Sequence, residues 1–95
     1  MRIVSKRRIR EFGKRFPKAG EPLKHWANAV QAAGWKNPGA LKADFGSAAF
    51  VGVLTAFNVG GNKYRLIAYI HYRRQIAYIK HILTHEEYDE GAWRL

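Results

Sequence analysis

The chain contains no cysteine, which excludes disulfides and thiolate chemistry and fits a reducing compartment. Acidic residues are also scarce, seven against 17 Lys and Arg, for a formal charge of +10. Four of the seven (Glu86, Glu87, Asp89, Glu90) fall in the last ten residues, so residues 1–85 hold 16 basic and three acidic side chains, a balance of +13. With Asp44 isolated and the C-terminal acids suited to helix capping, no acidic cluster is available to hold a divalent cation, and no metal or other cofactor is expected. Nothing matches a phosphate-binding glycine loop either, because Gly60-Gly61 leads into a strand and lacks a Gly-Lys-Ser/Thr ending. No run of about 18 apolar residues exists to span a bilayer, and no apolar signal segment follows the basic N-terminus. These absences lead to an expectation of a cytoplasmic protein without membrane attachment. No repeat or flexible linker divides the chain, and the 47% hydrophobic composition can fill one core, so residues 1–95 are expected to form a single domain.

What is present is a strongly basic chain, whose field attracts polyanions and makes any nucleic-acid binding steeply salt-dependent. Ile3 and Val4 centre a short first strand, and Ser5 is placed to cap a helix over Lys6 to Phe16 that Pro17 ends. Ile9, Phe12 and Phe16 form its apolar stripe, and basic residues take most of its other positions. Leu23, Trp26, Ala27 and Val30 give a second helix the spacing i, i+3, i+4, i+7, with Pro22 at its start and Gly34 as its stop. Asn37-Pro38 opens a third, shorter one. Trp26 and Trp35 read as core filler, and His25 as a surface or boundary residue rather than a ligand.

From Ala48 the composition becomes β-branched and aromatic. A strand is expected over Leu54 to Val59 with a break near Gly52. The turn Gly60-Gly61-Asn62 joins it to a strand over Lys63 to Tyr72, and Arg73-Arg74 joins that to Gln75 to Leu83. The expected fold is α+β: N-terminal helices packed on one face of a small, mainly antiparallel sheet, followed by a short C-terminal helix.

Pairing Tyr72 with Gln75 sets Ile70 opposite Ala77, Ala68 opposite Ile79 and Tyr64 opposite Leu83 on the helix-covered face. On the other face Tyr69 meets Tyr78 and Ile67 meets Lys80. This register turns His81 toward the core side. It also predicts an outer face carrying Lys63, Arg65, Tyr69, Tyr78 and Lys80, in which cations suit phosphates and flat rings suit unstacked bases. An ordinary solvent-facing sheet has a similar composition.

Thr84-His85-Glu86-Glu87 has the spacing of a capping box, which accounts for Thr84 and both glutamates but not for His85 or Tyr88. A histidine and a phenol beside cations are suited to proton transfer, and Arg or Lys to the charge of a phosphorane-like transition state. Together these parts suffice for metal-independent RNA cleavage by attack of a ribose 2′-OH on the adjacent phosphorus.

The run Phe57-Asn58-Val59, Gly61-Asn62-Lys63-Tyr64-Arg65-Leu66, Tyr78-Ile79-Lys80 and Thr84-His85-Glu86-Glu87-Tyr88-Asp89 resembles the HigB family of mRNA interferase toxins within the RelE-like superfamily. The opening Arg2-Ile3-Val4-Ser5, Trp35-Lys36-Asn37-Pro38 and Leu41-Lys42-Ala43-Asp44 also fit. The resemblance implies the toxin of a type II toxin-antitoxin system, an endoribonuclease that cleaves ribosome-bound mRNA, with a cognate HigA-like helix-turn-helix antitoxin as partner. Asn62, Lys63 and Arg65 fall on the family's Gly-Asn-x-x-Arg segment, and His85, Tyr88 and Asp89 on its closing motif. The expected catalytic set is Arg65 for transition-state charge, Lys63 and Lys80 supporting it, and His85 and Tyr88 for proton transfer. Asn62, Tyr69, Tyr78, Arg73 and Arg74 are the expected RNA-binding residues. The rival reading is a basic RNA- or ribosome-binding module that does not cut.

Overall fold

The computed structural model describes residues 1–94. Its helices are α1 (Lys6–Arg15), α2 (Gly20–Ala32), α3 (Pro38–Asp44) and α4 (His85–Glu90), and its strands are β1 (Arg2–Val4), β2 (Ala49–Val51), β3 (Leu54–Val59), β4 (Tyr64–His71) and β5 (Ile76–Thr84). The strands form a single sheet in the order β1-β5-β4-β3-β2. All neighbours are antiparallel except β1, which pairs with β5 in parallel through Ile3 and Ala77. The fold is α+β, with α1 and α2 on one sheet face and α4 at the end of β5.

Local signals account for the element ends. The Ser5 side chain accepts from the Arg7 N–H, and Asn37 accepts from the Ala40 N–H, so each caps the helix that follows. Helix α2 starts at Gly20, two residues before Pro22, which therefore sits in the first turn where its missing N–H costs nothing. Thr84 and Glu87 complete the capping box at α4. Strand β4 begins at Tyr64 and ends at His71, one residue short at each end of the expected segment, leaving Lys63 in the turn.

Against the helix-facing side of the sheet pack Leu23, Trp26 and Val30 of α2 and Phe12 of α1. The wholly buried Leu23, Val30, Leu41, Phe57 and Leu66 each contribute about 1.5–3 kcal/mol of burial. Aromatic edges lock this layer: Trp26 and Phe45 meet Phe57 at centroid distances of 5.4 and 5.1 Å, and Phe12 meets Tyr64 at 5.6 Å. Trp35 is buried with its indole N–H donating to Asp44 Oδ2 at 2.7 Å, which gives the isolated acid a structural purpose.

One departure from the simple hairpin register reorganises the other face. Ile70–Ala77, Tyr69–Tyr78 and Ala68–Ile79 pair as expected, but the register then slips, so that Ile67 meets His81, Arg65 meets Leu83 and Tyr64 meets Thr84. Lys80 is the extra residue of a β-bulge. The expected Tyr64–Leu83 and Ile67–Lys80 pairs do not form. Past the bulge, side-chain alternation is inverted: Leu83 leaves the helix-covered core and His81 leaves the core side, and both take the opposite face.

There a second apolar cluster forms from Ala56, Ile67 and Trp93, with Val51, Leu54, Leu83 and Tyr88 partly buried around it. Gly91 makes this possible: in the left-handed conformation at φ 78°, it ends α4 and turns the chain so that Trp93 returns onto the sheet. The outer face is therefore only half open, and the expectation that Arg65 lies exposed on it is corrected. The open half is the end carrying Tyr69, His71 and Tyr78.

Candidate active site

Arg65 is the most constrained functional side chain. It projects from β4 onto the outer face and is only 8% exposed. Its Nη2 donates to Asn62 Oδ1 at 2.5 Å and its Nη1 to the Tyr64 carbonyl at 3.1 Å, while the guanidinium carbon lies 5.2 Å from the centre of the Tyr88 ring. The turn before β4 sets this up. Gly60 and Gly61 both have positive φ, and a side chain at Gly60 would meet the Tyr64 ring at 3.3 Å. The turn they make holds Asn62 three residues ahead of Arg65.

Among the described residues no carboxylate pairs with this guanidinium; Glu11 pairs with Arg7, and Asp89 contacts the His85 imidazole. A buried cation without a counter-charge is costly. Here carbonyl oxygens and an aromatic face offset part of that cost and leave the charge available to an incoming anion.

Tyr88 and His85 sit one turn apart on α4. The Tyr88 ring also stacks on Trp93, with centroids 5.1 Å apart and planes 12° from parallel, and the Trp93 indole N–H donates to the Tyr88 carbonyl at 2.9 Å. The His85 backbone N–H donates to the Lys63 carbonyl at 3.0 Å, tying α4 to the glycine turn. Its ring is half-exposed: Nε2 meets Asp89 Oδ2 at 3.2 Å, and Nδ1 is buried without a hydrogen-bond partner. Asp89 thereby favours the tautomer with the proton on Nε2.

Lys63 is exposed in the turn beside Asn62. Lys80 is exposed at the bulge, with Nζ 5.7 Å from the centre of the Tyr78 ring. Tyr78 in turn stacks with Tyr69 across the strands, centroids 6.1 Å apart and planes 28° from parallel, and Tyr69 meets His71 edge-on. Both tyrosines are half-buried. Arg73 and Arg74 are exposed in the turn beyond His71, at the far end of β4, roughly 20 Å from Arg65 at the usual rise per strand residue.

The structure thus brings Asn62, Lys63, Arg65, His85 and Tyr88 to one end of the sheet, places Lys80 with Tyr69 and Tyr78 at its middle, and leaves Arg73 and Arg74 apart. Three contributors were not legible beforehand. Trp93 covers Tyr88; the signal was a tryptophan stranded after a glycine stop, a large apolar surface in need of cover. Arg8 of α1 reaches the bulge, its Nη1 donating to the Lys80 carbonyl at 2.9 Å. His81 lies on the site face, and its pKa is pushed below the ordinary histidine value by partial burial and by the neighbouring Arg8 and Lys80 cations. Among the described residues no three His, Asp or Glu side chains converge on a point that could hold a metal ion.

A sequence model of the HigB toxin family, described as the RelE-like toxic component of a toxin-antitoxin system, matches residues 19–91. The mRNA interferase toxin HigB of Escherichia coli K12 is 29% identical over 92 residues, covering 94% of this chain and 88% of that protein. The mRNA interferase HigB of Escherichia coli O6:H1 is 27% identical over 93 residues, covering 95% and 90%.

Proposed function

The chain belongs to the HigB family of RelE-like toxins, and on that premise we propose that it is an mRNA-cleaving endoribonuclease whose active site is built around Arg65. Membership makes it the toxic component of a toxin-antitoxin system, with an antitoxin as its counterpart. The relatives named mRNA interferases supply the substrate class. The observation that carries the reading is the buried Arg65 guanidinium, oriented by Asn62 and lacking a carboxylate partner among the described residues.

In this reading a phosphodiester of mRNA lies over Arg65. The ribose 2′-oxygen loses its proton and attacks phosphorus, the bond to the 5′-oxygen breaks, and the products are a 2′,3′-cyclic phosphate and a 5′-hydroxyl. Arg65 stabilises the charge that builds on the phosphoryl oxygens, and Lys63 and Lys80 reinforce it. His85, held by Asp89, and Tyr88 serve proton transfer. The reaction needs no metal, because cations of the chain carry the electrostatic work. Tyr69 and Tyr78 stack unpaired bases, Asn62 keeps Arg65 aimed at the phosphate while contacting RNA itself, and Arg73 and Arg74 hold the backbone further along. The substrate is mRNA on the ribosome in the cytoplasm, and the antitoxin is a HigA-like helix-turn-helix protein.

The Tyr69–Tyr78 pair favours a second reading. A base-stacking platform distant from Arg65 would also serve a module that binds RNA or the ribosome without cutting. Primer-extension mapping of mRNA 5′ ends after induction separates the two. New ends that vanish in Arg65→Met support the nuclease, whereas unbroken mRNA alongside growth arrest supports the binder.

A further inference from the structure

Four histidines are available to take the 2′-OH proton, and three are committed elsewhere. His25 is exposed on α2, on the helix side. His71 Nδ1 accepts from the Arg74 N–H at 3.2 Å beside the far turn. His85 has Nε2 on Asp89 and Nδ1 sealed from solvent, so the lone pair that a base needs is out of reach of a ribose, while the proton on Nε2 stays at the half-exposed edge of the ring. His81 differs from all three. Its ring makes no hydrogen bond to the other described residues, and its nitrogens are not sealed from solvent.

The bulge decides where that ring points. Without the extra residue at Lys80, His81 would alternate onto the helix-covered face. With it, His81 lies opposite Ile67, and Arg65 opposite Leu83. His81 and Arg65 are therefore diagonal neighbours on one face of an antiparallel pair, with Cβ atoms roughly 7 Å apart. That separation lets a guanidinium engage a phosphoryl oxygen while an imidazole meets the adjacent 2′-oxygen of the same nucleotide.

Resting on the endoribonuclease reading above, we propose that His81 is a catalytic residue of this site: the general base that removes the proton from the attacking 2′-OH. The O2′–H bond breaks as the proton passes to the imidazole, the O2′–P bond forms, and the P–O5′ bond breaks. The departing 5′-oxygen is protonated from the α4 side, by Tyr88 or by His85. No oxidant, reductant or second substrate is required. The surroundings keep the imidazole in the state a base needs. The charged groups that act on it are Arg8 from α1 and Lys80 from its own strand, both cationic; Ile67 faces it from β4, with Arg65 diagonal to it. An imidazole partly buried beside two cations resists protonation and remains neutral at neutral pH.

The test is single-turnover cleavage between pH 5 and pH 8 with purified toxin, on mRNA in translating ribosomes and on the same RNA free in solution. Wild type, His81→Ala, His81→Gln and Arg65→Met are compared, each checked for a native thermal transition. His81→Gln keeps a polar group of similar reach should the alanine variant fold poorly. The expected result is a loss of about 100-fold or more in both His81 variants. The wild-type rate should fall as pH drops through a midpoint below the ordinary histidine value, and the folded His81 variants should lack that fall. Added imidazole should restore part of the rate to His81→Ala. Wild-type rates in folded His81 variants, or an unchanged acid limb in them, would overturn the assignment while leaving Arg65→Met as evidence for the nuclease. Intact RNA with wild-type toxin would overturn the nuclease reading and this inference together, and full cleavage by Arg65→Met would overturn the Arg65-centred site on which this inference is built.

Discussion

Arg8 Nη1 donates to the Lys80 carbonyl at 2.9 Å, joining the first helix to the bulge in the last strand across 72 positions of sequence. The bulge releases a backbone carbonyl from the regular ladder, and the guanidinium takes it up, so α1 helps hold the irregularity that turns His81 and Leu83 onto the outer face. Removing Arg8 removes both a hydrogen bond to the bulge and a cation that disfavours imidazolium. In Arg8→Gln the His81 titration midpoint, followed by NMR, should move up toward the ordinary value, and cleavage at neutral pH should drop several-fold. An unmoved midpoint would show that Arg8 does not govern His81.

Arg65 poses a conflict between stability and activity that a near-isosteric variant can separate. Arg65→Met keeps most of the side-chain volume and removes a buried charge that has no carboxylate partner among the described residues. Stability should be unchanged or rise by about 1 kcal/mol, while cleavage falls by about 100-fold or more. Chemical denaturation and the cleavage assay on one preparation check both halves. Loss of stability together with activity would make Arg65 a structural residue.

Asn62 tests orientation as distinct from charge. Its Oδ1 accepts from Arg65 Nη2, and Asn62 is itself exposed in the glycine turn, so Asn62→Ala leaves the cation in place but frees its rotamers. Cleavage should drop about 10-fold with little change in thermal midpoint. A loss as deep as that of Arg65→Met would mean that Asn62 contributes more than aim.

These consequences trace to features that differed in how openly the sequence announced them. Caps at Ser5, Asn37 and Thr84, the apolar stripe of α2 and the glycine turn before β4 are encoded within a few residues of where they act, and each appears where its local chemistry places it. Pairing from Tyr69–Tyr78 back to the turn follows from alternation alone. The bulge does not: Lys80 is flanked by Ile79 and His81 with no glycine or proline to mark it, and the residue that takes its free carbonyl is Arg8, far away in sequence. Hence Arg65 and Lys80 could be named as candidates, while the face of His81 and the burial of Arg65 required the tertiary register. Trp93 was hidden for a related reason, since its packing depends on a chain reversal at Gly91 and not on any periodicity.

Trp93 covers Ile67 and stacks on Tyr88, so it supports the α4 side of the site. Trp93→Ala should cost about 3 kcal/mol, loosen α4 and reduce cleavage. Trp93→Phe, which keeps an aromatic face for Tyr88, should recover most of the activity. Hydrogen exchange at the amides of residues 85–90 reads the loosening directly, and unchanged protection in Trp93→Ala would show that the capping box alone holds α4.

The depressed pKa of His81 carries a signed consequence for folding. In the unfolded chain the imidazole titrates near pH 6.5, whereas in the folded chain partial burial, Arg8 and Lys80 favour the neutral form. Between those two values the unfolded state binds more protons, so stability falls as the solution is acidified. His81 imposes no penalty above the unfolded value; the penalty grows as pH drops through the window and is complete below the folded value. Contributions from the other titrating groups are common to wild type and to a His81 variant. The difference between wild type and His81→Gln therefore isolates the histidine. Unfolding free energies from denaturant titrations at pH 8, 7, 6 and 5 should show wild type losing stability relative to His81→Gln from about pH 6.5 downward. Parallel curves would mean that the folded environment leaves His81 unperturbed and would remove the electrostatic basis for its neutrality.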